Sequence, residues 1–465
     1  MSLMVSISGI RGIVGESLTP DVVVRYAAAY AEYCKRQHAE RPVVILGRDG
    51  RVTGKHLTHI IASTLISAGV DVRAIGICPT PTVALAVERH HAAGGISVTA
   101  SHNPMQWNGL KFFAPTGLFL NGEENQILWD IADREPVHWS SWDTLGEHTA
   151  DDSWIRTHID AVRGLEYLDA AVVKQRRFRV VLDCVNAAGG RIVPTLLREM
   201  GCDVIEMNCD VSGVFAHTPE PIPENLTTVM DRVRAERADL GIVVDPDVDR
   251  LVLITEEGLP FGEEYTIASA VRFVLERESR RRREHPPTVV INLSTTRAVE
   301  DIARHFGATT LRTPVGEINV ARRMVETGAV IGGEGSGGVI LPVVHTGRDA
   351  IVGIALVLQL LAESGGSLSA LKRTMPQYAI AKGKIETGRR NPDGVLERLR
   401  ANVGTDGTVT TTDGLRIDFP DHWVHLRKSN TEPIVRIIAE APTMQMATSV
   451  VQRLIASVTD ATGDQ

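Results

Sequence analysis

The stretch DLGIVVDPDVDRLVLITEEG, Asp239 to Gly258, ends an apolar run in three carboxylates, Asp245, Asp247 and Asp249, followed at once by Arg250. Carboxylates this close repel one another unless a cation neutralises them. Oxygen-only ligands suit a hard ion such as Mg2+. A calcium loop is the obvious competitor, because Glu256 stands twelfth when Asp245 is counted first. That loop needs glycine at its sixth position, where this chain has Arg250, and Leu251 to Thr255 reads as a strand rather than a helix. The calcium reading is rejected on both counts.

A second stretch, SVTASHNPMQWNGLKFF, runs an apolar strand into Ala100, Ser101, His102, Asn103 and Pro104. Asn-Pro forces a turn, so Ser101 is expected at a strand end, where a hydroxyl can act as a nucleophile. His102 and Lys111 stand close enough in sequence to move a proton or neutralise charge. A third stretch, GAVIGGEGSGGVILP, spells GxGxxG with Gly333, Gly335 and Gly338. A dinucleotide fingerprint needs a helix directly afterwards, and VILPVV is strand-like, so that reading fails. What remains is a carboxylate and a hydroxyl, Glu334 and Ser336, on a loop that lets backbone approach a ligand, an inventory suited to sugar hydroxyls. A fourth stretch, LRKSNTEPIVRI, offers Arg427, Ser429, Asn430 and Thr431, with Arg436 on the following strand. Guanidinium, hydroxyl, amide and turn N–H groups together bind a phosphate dianion.

These loops need a frame. Three times the chain repeats an apolar strand, a loop, a helix, a glycine and a second strand: from Pro42 to Gly69 and VDVRAIG, from Phe178 to Gly201 and CDVIEMN, and from Thr288 to Gly307 and ATTLRTPVG. Strands alternating with helices predict α/β layers. The expectation is three related α/β domains, residues 1–154, 155–258 and 259–372, followed by a smaller α+β domain, 373–465. Each domain then contributes one loop to a shared cleft.

Bulk properties narrow the field. The chain has 465 residues, 43% hydrophobic and 23% charged, with a formal net charge of −8. No global basic field attracts nucleic acid, and the Arg280–Arg283 run reads as a solvated helix end. Five dispersed cysteines without a CxxC pair fit a reducing compartment and offer no zinc site. The beginning, MSLMVSISGIRG, lacks a basic region followed by an apolar run, so no secretory signal is read. Ile351 to Ala362 is too short to span a bilayer and reads as a core helix. A cytoplasmic protein with no nucleic-acid or membrane partner is expected.

TASHNP, DPDVDR, GEGSG and RKSNTEP, with the early Ser8-Gly9-Ile10-Arg11-Gly12 and Gly47-Arg48-Asp49, resemble in order the signature segments of the α-D-phosphohexomutase family. The resemblance covers essentially the whole chain. It implies four domains in a heart-shaped arrangement around a central cleft. It also implies that Ser101 carries a phosphoryl group and that Mg2+ is held by Asp245, Asp247, Asp249 and a phosphate oxygen on Ser101. Phosphoserine would phosphorylate a hexose phosphate substrate, and the bisphosphate would turn over and return its other phosphate. Hexose 1,6-bisphosphate is the implied activator. Arg11, Lys111 and Arg250 would supply positive charge, with Lys111 and His102 as acid/base candidates. The state implied is monomer or homodimer.

Two positions depart from the family pattern: Val248 stands where glycine is common, and Gly338 where histidine is common. The N-terminal segment and the serine loop look most like phosphoglucosamine mutases, so glucosamine 6-phosphate to glucosamine 1-phosphate is favoured. A phosphomannomutase or phosphoglucomutase is the alternative within the family. A metal-dependent sugar phosphatase and a non-catalytic sugar-phosphate sensor are the alternatives outside it.

Overall fold

The computed structural model describes residues 3–459 apart from 39, 135, 283, 388–390, 402–406 and 429–433. Three successive units share one strand plan. In the first, Val43–Arg48 is flanked in parallel by Asp71–Ile77 and Gly94–Val98, and Trp107–Phe113 adds antiparallel beyond the latter. Arg179–Asp183, Asp203–Met207, Leu240–Val244 and Leu251–Thr255 repeat this order and direction. So do Thr288–Asn292, Thr309–Thr313, Ile331–Glu334 and Gly338–Leu341. The α/β expectation therefore holds with one refinement: each sheet closes on an antiparallel hairpin. A hairpin needs only a short connection, whereas a parallel pair needs a crossover.

Residues dictate this locally. Leu240–Val244 and Leu251–Thr255 are buried along their whole length, which is why both read as unbroken apolar runs. Gly69, Gly201 and Gly307 end the helices Gly54–Ser67, Val193–Glu199 and Ala298–His305 with φ of 79°, 83° and 67°. Only glycine takes that left-handed step without strain, and it turns each chain back towards the sheet.

The first sheet is extended by Met4–Ser6, Gly9–Ile13 and His148–Ala150, and the third by His345–Arg348. The last unit is a five-stranded antiparallel sheet, Ala379–Glu386, Ile434–Ala441, Trp423–Lys428, Leu415–Asp418 and Thr408–Thr410, with the helix Met444–Thr459 against it. One buried apolar cluster runs from Ile159 to Met375 through the second and third units, while the first and last have cores of their own. The apolar stretch expected as a core helix is Ala350–Ser364, buried from Ala350 to Ala362. Among the described residues, no helix is long and apolar enough to cross a membrane.

The shared plan fixes where chemistry can sit. In each of the three units the reversal between the third strand and its antiparallel partner carries one of the loops read above: Ser101, the aspartate triplet, and Glu334 with Ser336. Each reversal also holds a residue in the left-handed region, Ser101 (φ 47°), Val248 (φ 61°) and Gly337 (φ 85°).

Candidate active site

The serine loop is folded around one buried cation. The Arg51 side chain is fully buried, and its Nε donates to Asp49 Oδ2 at 3.0 Å. Its two terminal nitrogens donate to the carbonyls of Pro104 (2.8 Å), Trp107 (2.9 Å), Ser101 (2.5 Å) and Asn103 (2.7 Å). Asp49 also accepts from Thr99 Oγ1 at 2.7 Å, and Thr99 Oγ1 accepts from the Ser101 N–H at 2.9 Å. A planar fork with five donors is the side chain that can satisfy several converging carbonyls at once. The result holds Ser101, a non-glycine residue at positive φ, in a conformation the chain would otherwise avoid. Arg51 lies inside the GRDGR segment read as a strand and loop, but nothing in its local sequence points to carbonyls some fifty residues away.

Ser101 Oγ lies 3.2 Å from Asp245 Oδ2 and 3.3 Å from His102 Nδ1. Burial, reinforced by Arg250, pushes the His102 pKa down to about 3, so the ring is neutral near pH 7. Arg11 is placed beside the same loop, donating to Asn103 Oδ1 at 3.0 Å.

The three aspartates are buried, and their ligating oxygens lie within 4.8 Å of one another. Asp247 and Asp249 each have one oxygen hydrogen-bonded by the protein, and Asp245 has both. Asp245 Oδ1 accepts from the N–H groups of Asp249 (3.1 Å) and Arg250 (3.2 Å). Asp247 Oδ2 accepts from Lys111 Nζ (2.7 Å) and Thr80 Oγ1 (3.0 Å). Asp249 Oδ2 accepts from Arg348 at 2.6 Å. The opposite oxygens of Asp247 and Asp249 are buried without a hydrogen bond, the latter with Arg250 Nε at 3.8 Å, and that of Asp245 accepts from Ser101 Oγ. Orphaned buried carboxylate oxygens cost free energy unless something fills them. Two of them, together with Asp245 Oδ2 beside the serine hydroxyl, fit a hard divalent ion. Burial and the neighbouring Asp249 and Asp247 raise the Asp245 pKa well above the ordinary carboxylate range. Burial also works against charge on Asp249, but Arg348, Lys111 and Arg250 outweigh it and hold that carboxyl low. Burial opposes the Lys111 ammonium too, and Asp247 and Asp249 more than offset it, so Lys111 stays a cation.

Val248, at the centre of this loop, sits at φ 61° with its side chain fully buried. The glycine expected there would adopt this backbone without strain, whereas a β-branched residue at positive φ is an outlier. Its side chain belongs to the core shared by the second and third units.

A cavity of about 350 Å3 joins all four units. Ser101, His102, Lys111 and Arg11 line it from the first unit and Arg250 from the second. Glu334 and Ser336 line it from the third, and Arg427 and Arg436 from the last. Arg427 and Arg436 stand directly opposite each other on neighbouring antiparallel strands. Like charges in that register repel unless an anion lies between or above them. Arg427 is oriented by Asp413, whose Oδ1 accepts from its Nε at 2.9 Å while Oδ2 accepts from the Val315 N–H at 2.8 Å. Ser429, Asn430 and Thr431 lie outside the described residues.

Similarity to known proteins decides the assignment. The family models for phosphoglucomutase/phosphomannomutase α/β/α domains I, II and III and its C-terminal domain match residues 4–137, 156–258, 263–378 and 384–457. The chain belongs to the phosphoglucomutase/phosphomannomutase family. It is 38% identical to the phosphoglucomutase/phosphomannomutase of Thermococcus kodakarensis, over 94% of both chains. It is 36% identical to a Methanopyrus kandleri protein named "Probable phosphoglucosamine mutase", over 95% of this chain and 94% of that one. A crystal structure of a phosphoglucomutase/phosphomannomutase family protein from Burkholderia thailandensis superposes with a TM-score of 0.84 at 27% identity, covering 98% of each chain. The protein is a hexose phosphate mutase, an isomerase.

Beyond the residues read from sequence, Arg51 shapes the serine loop of the mutase, and Arg348 contacts two of the other loops. Arg348 donates to Asp249 and, at 2.5 Å, to Glu334 Oε2. Asn292 Nδ2 and the Gly316 N–H hold the other Glu334 oxygen at 2.7 and 3.0 Å. Glu264 was also not foreseen. It lies against Gly335, accepts from the Thr296 N–H at 2.8 Å, and has its pKa pushed up to about 8 by burial and then by Glu263. A second buried cluster, His158, His345 and Asp349, is self-satisfied at the carboxylate. Asp349 Oδ2 meets both imidazoles, at 2.8 and 3.1 Å, and Oδ1 caps the helix Ala350–Ser364. With Thr82 on the other side of His158, at 2.9 Å, it is a hydrogen-bonded junction of three units.

Proposed function

We propose that this mutase interconverts glucosamine 6-phosphate and glucosamine 1-phosphate through a phosphoryl group carried on Ser101, with Mg2+ held by Asp245, Asp247 and Asp249. The observation that carries the reading is a single cavity lined both by a serine hydroxyl 3.2 Å from a carboxylate cluster with spare oxygens and by a facing arginine pair from another unit. A sugar bisphosphate has two anionic ends, and this cavity has two places for them. Phosphoryl transfer asks mainly for in-line positioning and charge neutralisation. Bound Mg2+ would supply positive charge to the phosphoryl group in transfer. Lys111, Arg250 and Arg11 add fixed cations on the same side, while Arg427 and Arg436 hold the phosphate that is not reacting. Glu334 and Ser336 bind sugar hydroxyls between the two, so the intermediate can exchange ends while each phosphate keeps a partner. Neutral His102, at 3.3 Å from Ser101 Oγ, is placed to hydrogen-bond the serine oxygen, and would exchange a proton with it only where bound phosphate raises the pKa that burial holds at about 3.

Glucosamine is favoured over mannose or glucose on account of one carboxylate among the four, Glu263, Glu264, Glu317 and Glu334, that line this otherwise cation-rich cavity. Glu263 pairs with Lys382, and Glu317 and Glu334 pair with Arg348, whereas Glu264 has no ion pair among the described residues. An ammonium at C2 would give Glu264 the partner that a hydroxyl does not.

The test is a phosphorus NMR time course with Mg2+ and a catalytic amount of hexose 1,6-bisphosphate, supplying the 6-phosphates of glucosamine, mannose and glucose in parallel. A 1-phosphate signal that grows fastest from glucosamine and vanishes in Ser101→Ala supports the proposal. A faster rate with mannose or glucose overturns the sugar, and inorganic phosphate as the sole product overturns the transfer path.

A further inference from the structure

We propose that Arg348 is a positioning residue that fixes the metal loop and the sugar loop to each other, and that Gly338 is glycine in order to admit it. The inference rests on the mutase reading of this cavity and assigns roles to two residues which that reading leaves unused.

Arg348 ends the strand His345–Arg348, and its side chain is only 11% exposed. Its guanidinium meets three carboxylates from three segments: Asp249 at 2.6 Å, Glu334 at 2.5 Å and Glu317 at 3.1 Å. The Glu317 carboxylate also accepts from the Arg348 N–H at 2.8 Å, pinning the base of the side chain as well as its tip. One planar fork thus sets the orientation of a carboxylate from the metal loop and one from the sugar loop. Because Asp249 Oδ2 is engaged by Arg348, its Oδ1 is left without a hydrogen bond, with only Arg250 Nε near it at 3.8 Å. Because Glu334 Oε2 is engaged, the carboxyl plane presented to the sugar is fixed too.

Gly338 explains how the side chain reaches both. Its backbone is not in the left-handed region, so conformation does not demand glycine there. Space does: a Cβ at Gly338 would lie 2.3 Å from Arg348 Cδ and 3.0 Å from its Cγ. These are mid-chain atoms of a residue held at both ends, so they cannot swing aside. The histidine common at this position in the family and Arg348 in its present place are therefore mutually exclusive. At Gly338 the place of a local side chain is taken by Arg348, reaching in from the next strand. A cation shared between loops also links their states, since a change at Asp249 is felt at Glu334.

The experiment uses the full-length protein and two readouts. Binding of Mn2+ alone, followed by its electron paramagnetic resonance signal, reports the metal loop without turnover. KM and kcat for the hexose phosphate that the wild type turns over fastest report the sugar loop. Arg348→Lys keeps the charge and loses the fork. It is expected to weaken Mn2+ binding about tenfold, in line with loss of an outer-shell partner, and to raise KM together with it. Gly338→His is expected to do the same with Arg348 present, and to change either readout less than twofold in an Arg348→Ser background. Retention of both readouts within twofold in Arg348→Lys, or equal harm from Gly338→His in both backgrounds, overturns the proposal. A variant that merely unfolds would lower the melting temperature and the amount of active protein without changing KM or the Mn2+ midpoint of what remains. If the wild type turns over no hexose phosphate, the mutase reading fails instead, and the Mn2+ arm still decides the Arg348–Asp249 link.

Discussion

Replacing Arg51 by methionine isolates the most concentrated set of interactions in the site. The change keeps much of the side-chain volume but removes a buried cation together with the five hydrogen bonds it donates. Asp49, fully buried, is left without its charge partner. Breaking a buried ion pair from one side costs about 3–5 kcal/mol. Four carbonyls lose a charge-assisted donor as well, each worth on the order of 1 kcal/mol, but neighbouring losses of this kind do not add in full. A figure of about 4 kcal/mol is reasonable for the first unit. At roughly 2–4 °C per kcal/mol for a unit of this size, the transition of the first unit should fall by roughly 8–16 °C in calorimetry. Turnover should fall by roughly a hundredfold, because the loop that aims Ser101 is released and an ångström of misplacement is enough for such a loss. Arg51→Lys separates the two effects. It keeps a cation beside Asp49 and should recover much of the stability, but one ammonium cannot reach four carbonyls, so turnover should stay low. An Arg51→Met protein that melts within about 2 °C of wild type and keeps its turnover within twofold would refute the argument that this fork shapes the loop.

Three further outcomes follow from the same geometry. Asp247→Asn should raise the Mg2+ concentration needed for half-maximal activity and disturb the Lys111 contact; an unchanged metal titration would mean the spare oxygen of Asp247 has no ligand to meet. Arg436→Ala should raise KM roughly ten- to hundredfold, the worth of one charged hydrogen bond, with Mn2+ binding unaffected; an unaltered KM would remove the phosphate role of the facing arginines. His425, between Ser294 Oγ at 2.8 Å and the Asp413 carbonyl at 2.7 Å, has its pKa lowered to about 4 by burial, against Asp413 and with Arg427 and Arg416. The unfolded chain therefore binds that proton first. The stability due to neutral His425 is present above about pH 6.5 and is lost as pH falls from there towards 4. The melting temperature of His425→Gln should depend less steeply on pH across that window, and an identical slope would contradict the assignment.

What the sequence discloses is what lies contiguously along it. The aspartate triplet, the serine before Asn-Pro, and the Glu–Ser pair among glycines each sit within one turn, so residue type and spacing suffice to read their chemistry. The helix-ending glycines at 69, 201 and 307 likewise announce the threefold repeat. Arg51 and Arg348 escape because their partners are set by topology: Arg348 meets Asp249 from 99 residues away, and no local pattern encodes that meeting. The antiparallel fourth strand of each unit was equally hidden, since a buried run such as Leu251–Thr255 has the same apolar signature in either direction. The charge state of His102 and the left-handed backbone of Val248 also depend on burial and loop closure, which appear only when the units are assembled. At Val248 the sequence did register a departure from glycine, but the strain it implies becomes visible only with the backbone torsion.

The recurrence of one reversal in three units bears on how such a catalyst can come about. A lone unit of this plan would own a single ingredient at its tip: a hydroxyl, a trio of carboxylates, or a grip for a sugar. None of these is a reaction. Once the frame exists in several copies, each tip is relieved of doing anything but its own share, and the strands beneath need not alter to accommodate the change. The strained torsions at Ser101 and Val248 then read as local debts that each frame is stable enough to carry. The labour is divided among siblings, and only their meeting in one cavity makes an enzyme of them.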